Sequence, residues 1–298
     1  MRAVPATDLE DSIQVLEQAL TWPTLDGASQ TLLLQPILES YSLSVTALLQ
    51  FLDVSTGGPQ AFLERHLLRV PELRSAVMGY GTAMHRALQY AQMTQPSPSL
   101  DAIVGAYRAS LREQRLSDAD FSRYEPHGEQ VLNGLFVDKG FTLPPSGQAE
   151  VGIQNIQLDD IRLGGKIDHL VFDNGRLVIT DYKTGKPLTS FATRDQTKVI
   201  KAWRHRTQLT FYALLCQLSG RFQAVTDAQA RMLYIEAETA QAMSLTLVPS
   251  QDDIERLKQL IQAVWPHIIS LKLPDTSSYS PDMAGITAFE NDLINNVI

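Results

Sequence analysis

The residue pattern predicts an α/β protein with a large helical N-terminal half and a sheet-centred second half. Three observations carry this reading. Up to about residue 138, apolar residues recur at helical spacing between Ser, Gly and Pro punctuation. After Pro144-Pro145 the spacing shortens to strand alternation. Asp173-Asn174-Gly175 then separates two apolar runs, which is a hairpin signal.

The elements follow in order. Leu9, Ile13, Leu16 and Leu20 form a helix stripe over residues 8–20, and a second apolar run covers 31–40. A segment boundary is expected at about residue 42. Ser44 suits the N-cap of a helix through 47–52. Thr56-Gly57-Gly58-Pro59 breaks the chain before a helix over 59–68 carrying Phe62, Leu63 and Leu67. Gly79-Tyr80-Gly81-Thr82 is read as the lead into a helix over 83–93, which puts His85 in its first turn. Residues 100–138 read as helix with a break at Pro126. Strands are expected over 150–158, with a bend inside, and over 161–172 and 175–182. A helix over about 204–219 ends at Gly220. Two more strands, 230–236 and 242–248, precede a long helix over 252–271 capped by Ser250, and a short helix is expected over 288–294.

The bulk numbers bound the function. At 298 residues and 44% hydrophobic content, the chain can bury a full core. Its single cysteine, Cys216, excludes an intramolecular disulfide, a multi-cysteine zinc site and a four-cysteine iron–sulfur cluster. No apolar run reaches the ~18 residues of a membrane span, and the N-terminus lacks a signal-peptide pattern. A cytoplasmic protein that does not engage a membrane is expected. The net charge of −8 argues against a general phosphate binder. Lys198, Lys201, Arg204 and Arg206 nevertheless place four positive charges in nine residues, with Trp203 among them. Such a run can meet a nucleic-acid backbone, with the tryptophan stacking on a base, or can be a solvated first turn.

One group of residues carries chemistry. Asp181 and Lys183 are two apart on an expected strand, so their side chains share a face while Tyr182 takes the other. Asp168 sits on the preceding strand in an otherwise apolar run. Buried carboxylates need a partner, and a hard divalent cation supplies one. A lysine beside such an ion suits phosphodiester hydrolysis, where it can position water and stabilise negative charge. The competing reading is a structural salt bridge. Gln208 and Tyr212, four apart, share one ridge of the helix that follows.

Gly81-Thr82-Ala83-Met84-His85, Gly165-Lys166-Ile167-Asp168, Asp181-Tyr182-Lys183 and Gln208 with Tyr212 occur in that order. The ordered set resembles the RecB-type branch of the PD-(D/E)xK nucleases, with its Gly-x-x-x-His, Gly-x-x-Asp, Asp-x-Lys and Gln-x-x-x-Tyr motifs. Leu43-Ser44-Val45-Thr46-Ala47-Leu48 and Gly57-Gly58-Pro59-Gln60-Ala61-Phe62 resemble the helical lead-in of the nuclease domain that ends certain UvrD-like DNA helicases. The resemblance implies a restriction-endonuclease-like core, a mixed central sheet flanked by helices. Residues 1–42 would be a helical lead-in, and 43–298 the nuclease domain with a helical insertion around 95–140.

The resemblance further implies Mg²⁺ or Mn²⁺ held by His85, Asp168, Asp181 and the Tyr182 backbone carbonyl, with Lys183 as the catalytic lysine. Gln208 and Tyr212 would line the site and touch DNA, and Glu150, at the start of the preceding strand, is a weaker candidate. Lys198, Lys201, Trp203, Arg204 and Arg206 would approach the backbone of single-stranded DNA or duplex ends. A UvrD-like helicase, in cis or in trans, is the implied partner. The competing function is a non-catalytic DNA-binding or scaffolding module on the same fold. The missing cysteines disfavour a third reading, a CRISPR-adaptation exonuclease.

Overall fold

A computed structural model describes residues 27–71, 75–173, 175–222 and 227–298. The chain divides into two units, Met1–Ser40 and Tyr41–Ile298. In the first, helix α1 spans Gly27–Glu39 with Pro36 inside it. The helix expected over 8–20 lies outside the described residues.

The second unit opens with α2 (Val45–Leu52), where the Ser44 hydroxyl accepts from the Ala47 amide as the expected N-cap. A short 3₁₀ turn (Val54–Thr56) leads to α3 (Gly58–Phe62), extended by a π-turn over Leu63–Leu67. Helix α4 then runs Ala76–Met93, capped by Ser75. It starts earlier than the glycines suggest, so His85 stands about three turns in rather than in the first turn. Gly79 is inside the helix for packing reasons: a Cβ there would lie 3.0 Å from Leu116 and 3.1 Å from Gln114. Tyr80, Ala83, Met84, Ala87, Leu88 and Ala91 form the buried stripe of α4.

Helix α5 (Leu100–Glu113) and helix α6 (Asp118–Asn133) replace the single interrupted helix expected here. The break falls before Ser117, which caps α6, with Arg115 left-handed at φ 53°. Pro126 lies inside α6 and does not end it. A second π-turn, Gly134–Asp138, follows. Tyr107, Tyr124, Leu132 and Leu135 join the α4 stripe in one apolar cluster, which also takes in Tyr182, Leu233 and Ile235 from the sheet side.

Among the described residues the sheet has five strands in the order β1-β2-β3-β4-β5: β1 (Gln148–Leu158), β2 (Ile161–Asp173), β3 (Arg176–Lys183), β4 (Asp227–Tyr234) and β5 (Ser244–Leu247). Of these strands β3 and β4 pair in parallel, and the other three neighbouring pairs are antiparallel. The bend expected in the first strand is a bulge between Ile153 and Ile156, with Asn155 at φ 58°. Helix α7 (Val199–Leu218) makes the β3–β4 crossover and packs across the sheet. It begins five residues before the expected start, so Lys201, Arg204 and Arg206 lie in its first turns, with Lys198 at its N-cap. Gly165 lets α7 approach, since a Cβ there would sit 2.8 Å from Leu215 Cδ1. Helix α8 (Gln251–Ser270) carries a full capping box between Ser250 and Asp253. Helix α9 (Met283–Ile294) is longer than the short helix expected there. The fold is thus a mixed sheet with helices on both faces. Among the described residues no helix is long and apolar enough to cross a membrane.

Candidate metal centre and its flanking lysine

Register builds the site. The pairs Ala149↔His169 and Val151↔Ile167 bracket Glu150 against Asp168, and His169↔Thr180 places Asp168 next to Asp181. Three carboxylates therefore stand in one row across β1, β2 and β3. Like charges directly across strands destabilise a sheet, so the row needs counter-charge.

That counter-charge comes in two groups. In the first, His85 reaches from α4 to place Nδ1 3.4 Å from Asp168 Oδ1, and Lys166 pairs with Glu150. One donor atom each from His85, Glu150 and Asp168 lie within 4.8 Å of one another. Glu150 has φ 56°, a left-handed backbone rare for a side-chain-bearing residue. Asp168 is fixed from behind, because the Tyr182 amide donates to its Oδ2 at 2.8 Å. His85, Glu150, Asp168, Lys166 and Thr184 line one open cleft of about 630 Å³.

In the second group, Asp181 and Lys183 face α7 as the strand alternation requires. Asp181 is 2% exposed, and Lys183 Nζ lies 2.6 Å from its Oδ2. Gln208 closes the set: its Nε2 donates to Asp181 Oδ1 at 2.8 Å, and its Oε1 accepts from Lys183 Nζ at 3.0 Å. The same Nε2 lies 3.0 Å from the Tyr212 hydroxyl. Tyr182 turns its ring to the other face, into the apolar cluster with α4.

Charge is distributed unevenly among these groups. Burial alone would lower the His85 pKa, but Asp168, with Asp181 beyond, outweighs it and holds the imidazole above its ordinary value. Burial would raise Asp168, yet the His85 contact, the Tyr182 amide and Lys183 together keep it below the usual carboxylate range. Asp181 goes the other way. Its burial, reinforced by Asp168 and only partly offset by Lys183, pushes it up to about 6. The two aspartates thus differ in character: Asp168 loses its proton more readily than an ordinary carboxylic acid, and Asp181 less readily.

The structure brings together His85, Glu150 and Asp168 as one donor set, and Asp181, Lys183, Gln208 and Tyr212 as an adjoining network. Lys166 was not anticipated as a site residue. Its signal was present, two positions before Asp168 on the same strand. Glu236 was not anticipated either. Its Oε1 accepts from the Gly185 amide at 3.2 Å and anchors the turn after Lys183.

The basic run has partners of its own. Arg204 Nε donates to fully buried Asp53 at 2.7 Å, and Arg206 pairs with Asp253 at 2.6 Å. Trp203 Nε1 donates to Glu290 at 2.9 Å, and Lys198 faces Asp195 at 3.0 Å. Lys201 Nζ donates to the Lys186 carbonyl at 2.7 Å, and burial with Lys183 nearby lowers its pKa. Much of the run's charge is therefore committed within the protein, where it ties α7 to neighbouring elements.

Two carboxylates and one imidazole open to a cleft make a donor set that could hold a divalent cation, with the Asp181–Lys183–Gln208 network alongside. The sequence profile of the PD-(D/E)XK nuclease superfamily matches residues 42–279. A solved structure titled "Crystal structure of SSO0001" is 16% identical, with 69% of this chain and 83% of that chain covered and a TM-score of 0.26. No curated protein matches the chain.

Proposed function

Since the chain belongs to the PD-(D/E)XK nuclease superfamily, we propose that it is a Mg²⁺- or Mn²⁺-dependent deoxyribonuclease of the RecB-like kind. In this reading it acts on single strands or duplex ends in a DNA-repair system, with a UvrD-like helicase in cis or in trans. The observation that supports the chemistry best is the meeting of His85, Glu150 and Asp168 within 4.8 Å, beside the Asp181–Lys183–Gln208 network.

His85, Glu150 and Asp168 would hold the ion, with Asp181 and the Tyr182 carbonyl as the further ligands that the family pattern implies. The bound ion would acidify water and withdraw charge from the scissile phosphate. The Lys183 ammonium would orient the attacking water and stabilise charge building on the phosphate. Gln208 holds that ammonium and the Asp181 carboxylate in one geometry. Tyr212 braces Gln208 from one turn further along α7. With a cation held by Glu150, Lys166 would be free to meet the phosphate. In the same reading Lys198 and Lys201 would supply backbone contacts, and Trp203, Arg204 and Arg206 would approach the DNA from positions held by Glu290, Asp53 and Asp253.

The test is cleavage of end-labelled single-stranded, duplex and circular DNA, and of matching RNA, with Mg²⁺, Mn²⁺ or EDTA. Wild-type protein should cut DNA with metal and not with EDTA. Lys183→Ala should lose about 10²–10⁴-fold in rate while still folding. DNA binding without cleavage under any metal would instead support a non-catalytic module on the same fold.

A further inference from the structure

Along α4 the cleft does not end at His85. Arg86 lines both the cleft of about 630 Å³ and a second groove of about 440 Å³ between α4 and α5. We infer that this groove carries the single-stranded continuation of the nucleic acid away from the metal centre, with Arg86 on a phosphate and Tyr90 under a base. The inference rests on the nuclease reading and adds to it a path and a strandedness.

Four observations carry it. Arg86, Gln89, Tyr90 and Met93 recur at three- and four-residue spacing, so they share one ridge of α4 leading from His85. Among the described residues Arg86 has no ion-pair partner, whereas Arg108 and Arg112 of α5, which do not line the groove, both face Glu125 of α6. Tyr90 and Met93 leave apolar surface in water, at 37% and 65% exposure, beside a cation and within a groove. On the α5 wall the Ser110 hydroxyl is buried with no hydrogen-bond partner.

The chemistry matches one ligand class. An unpaired guanidinium binds a phosphate oxygen pair through its fork. An exposed aromatic ring four residues on offers a stacking face that every unpaired base can use, and that a duplex cannot meet because its bases already stack on each other. Glu113 is the acid lining the groove, and it stands on the α5 wall opposite. It biases the phosphate toward Arg86 and leaves the base to Tyr90.

The experiment is fluorescence anisotropy in EDTA, with labelled oligothymidylates of increasing length and a duplex of matching length. Tyr90→Ala should weaken binding of the longer single strands roughly ten-fold, with Tyr90→Trp restoring it. Arg86→Ala should flatten the salt dependence of single-strand binding by about 0.7 in log–log slope, with Arg86→Lys keeping it. Unchanged affinity and slope in both alanine variants would overturn the inference. So would an equal loss for single strands and duplex, since the groove would then not select unpaired bases. Wild-type cleavage run in parallel separates the two readings. Cleavage with normal binding by the variants removes the groove alone, and lost binding without any cleavage removes the nuclease reading alone.

Discussion

Replacing Gln208 by alanine isolates what the α7 ridge does for the site. The side chain makes two bonds to charged groups, to Asp181 Oδ1 at 2.8 Å and from Lys183 Nζ at 3.0 Å. Bonds of this kind contribute about 1.5–3 kcal/mol each, and leaving one buried partner short costs at the upper end. Asp181 is the partner at risk, at 2% exposure. Lys183, with 26% of its side chain exposed, can recover water in place of the amide. A net cost of about 2 kcal/mol follows, which lowers the melting temperature by about 4–8 °C in a domain of this size. In the proposed reaction the loss of orientation at Lys183 should remove about ten- to hundred-fold from kcat, with KM little changed. Single-turnover cleavage of a labelled oligonucleotide and a thermal melt read the two effects separately. A folded Gln208→Ala variant with wild-type kcat would refute the positioning role. A variant that melts like wild type would refute the energetic argument from the buried carboxylate.

Two further outcomes follow from the same geometry. Millimolar Mg²⁺ or Mn²⁺ should raise the melting temperature by about 3–6 °C if it reaches ten times its dissociation constant. Glu150→Gln should shrink that shift, and an undiminished shift would take Glu150 out of the ion's reach. His205 tests the packing of α7 instead. Its Nδ1 lies 2.9 Å from the Tyr234 hydroxyl, and burial, with Lys183, Lys201 and Arg204 nearby, pulls its pKa down to about 3 from 6.5. The unfolded chain then binds a proton that the folded chain refuses, so stability is full above about pH 6.5 and falls as pH drops. About 2 kcal/mol should be lost by about pH 5. Melting wild type and His205→Gln between about pH 7 and pH 5 checks this, and an equal acid loss in both would exclude His205 as the cause.

Local spacing made much of the architecture legible. The strand pattern after Pro144-Pro145, the Ser44 and Ser250 caps and the shared face of Asp181 and Lys183 all depend on neighbours along one chain, and all are present in the fold. Where a local rule met tertiary packing, the packing prevailed. Gly79 and Gly81 read as a helix start because isolated glycine weakens a helix, yet Gly79 lies inside α4 against Leu116 and Gln114. Pro126 reads as a break, yet α6 runs through it.

For the candidate site, the sequence by itself determined which residue types stand at Asp168, Asp181, Lys183, Gln208 and Tyr212, and their order. Only the tertiary structure decided how they group. Glu150 reaches His85 and Asp168 because the β1–β2 register and a left-handed backbone bring it there. Asp181 turns instead to Lys183 and Gln208 on the α7 face. The basic run showed four cations and no acid, but its acids come from elsewhere; Asp53, the partner of Arg204, is 151 positions away. Spacing along a chain constrains one strand or one helix face. Pairing across elements is set by register and packing between distant residues, and no local pattern encodes it.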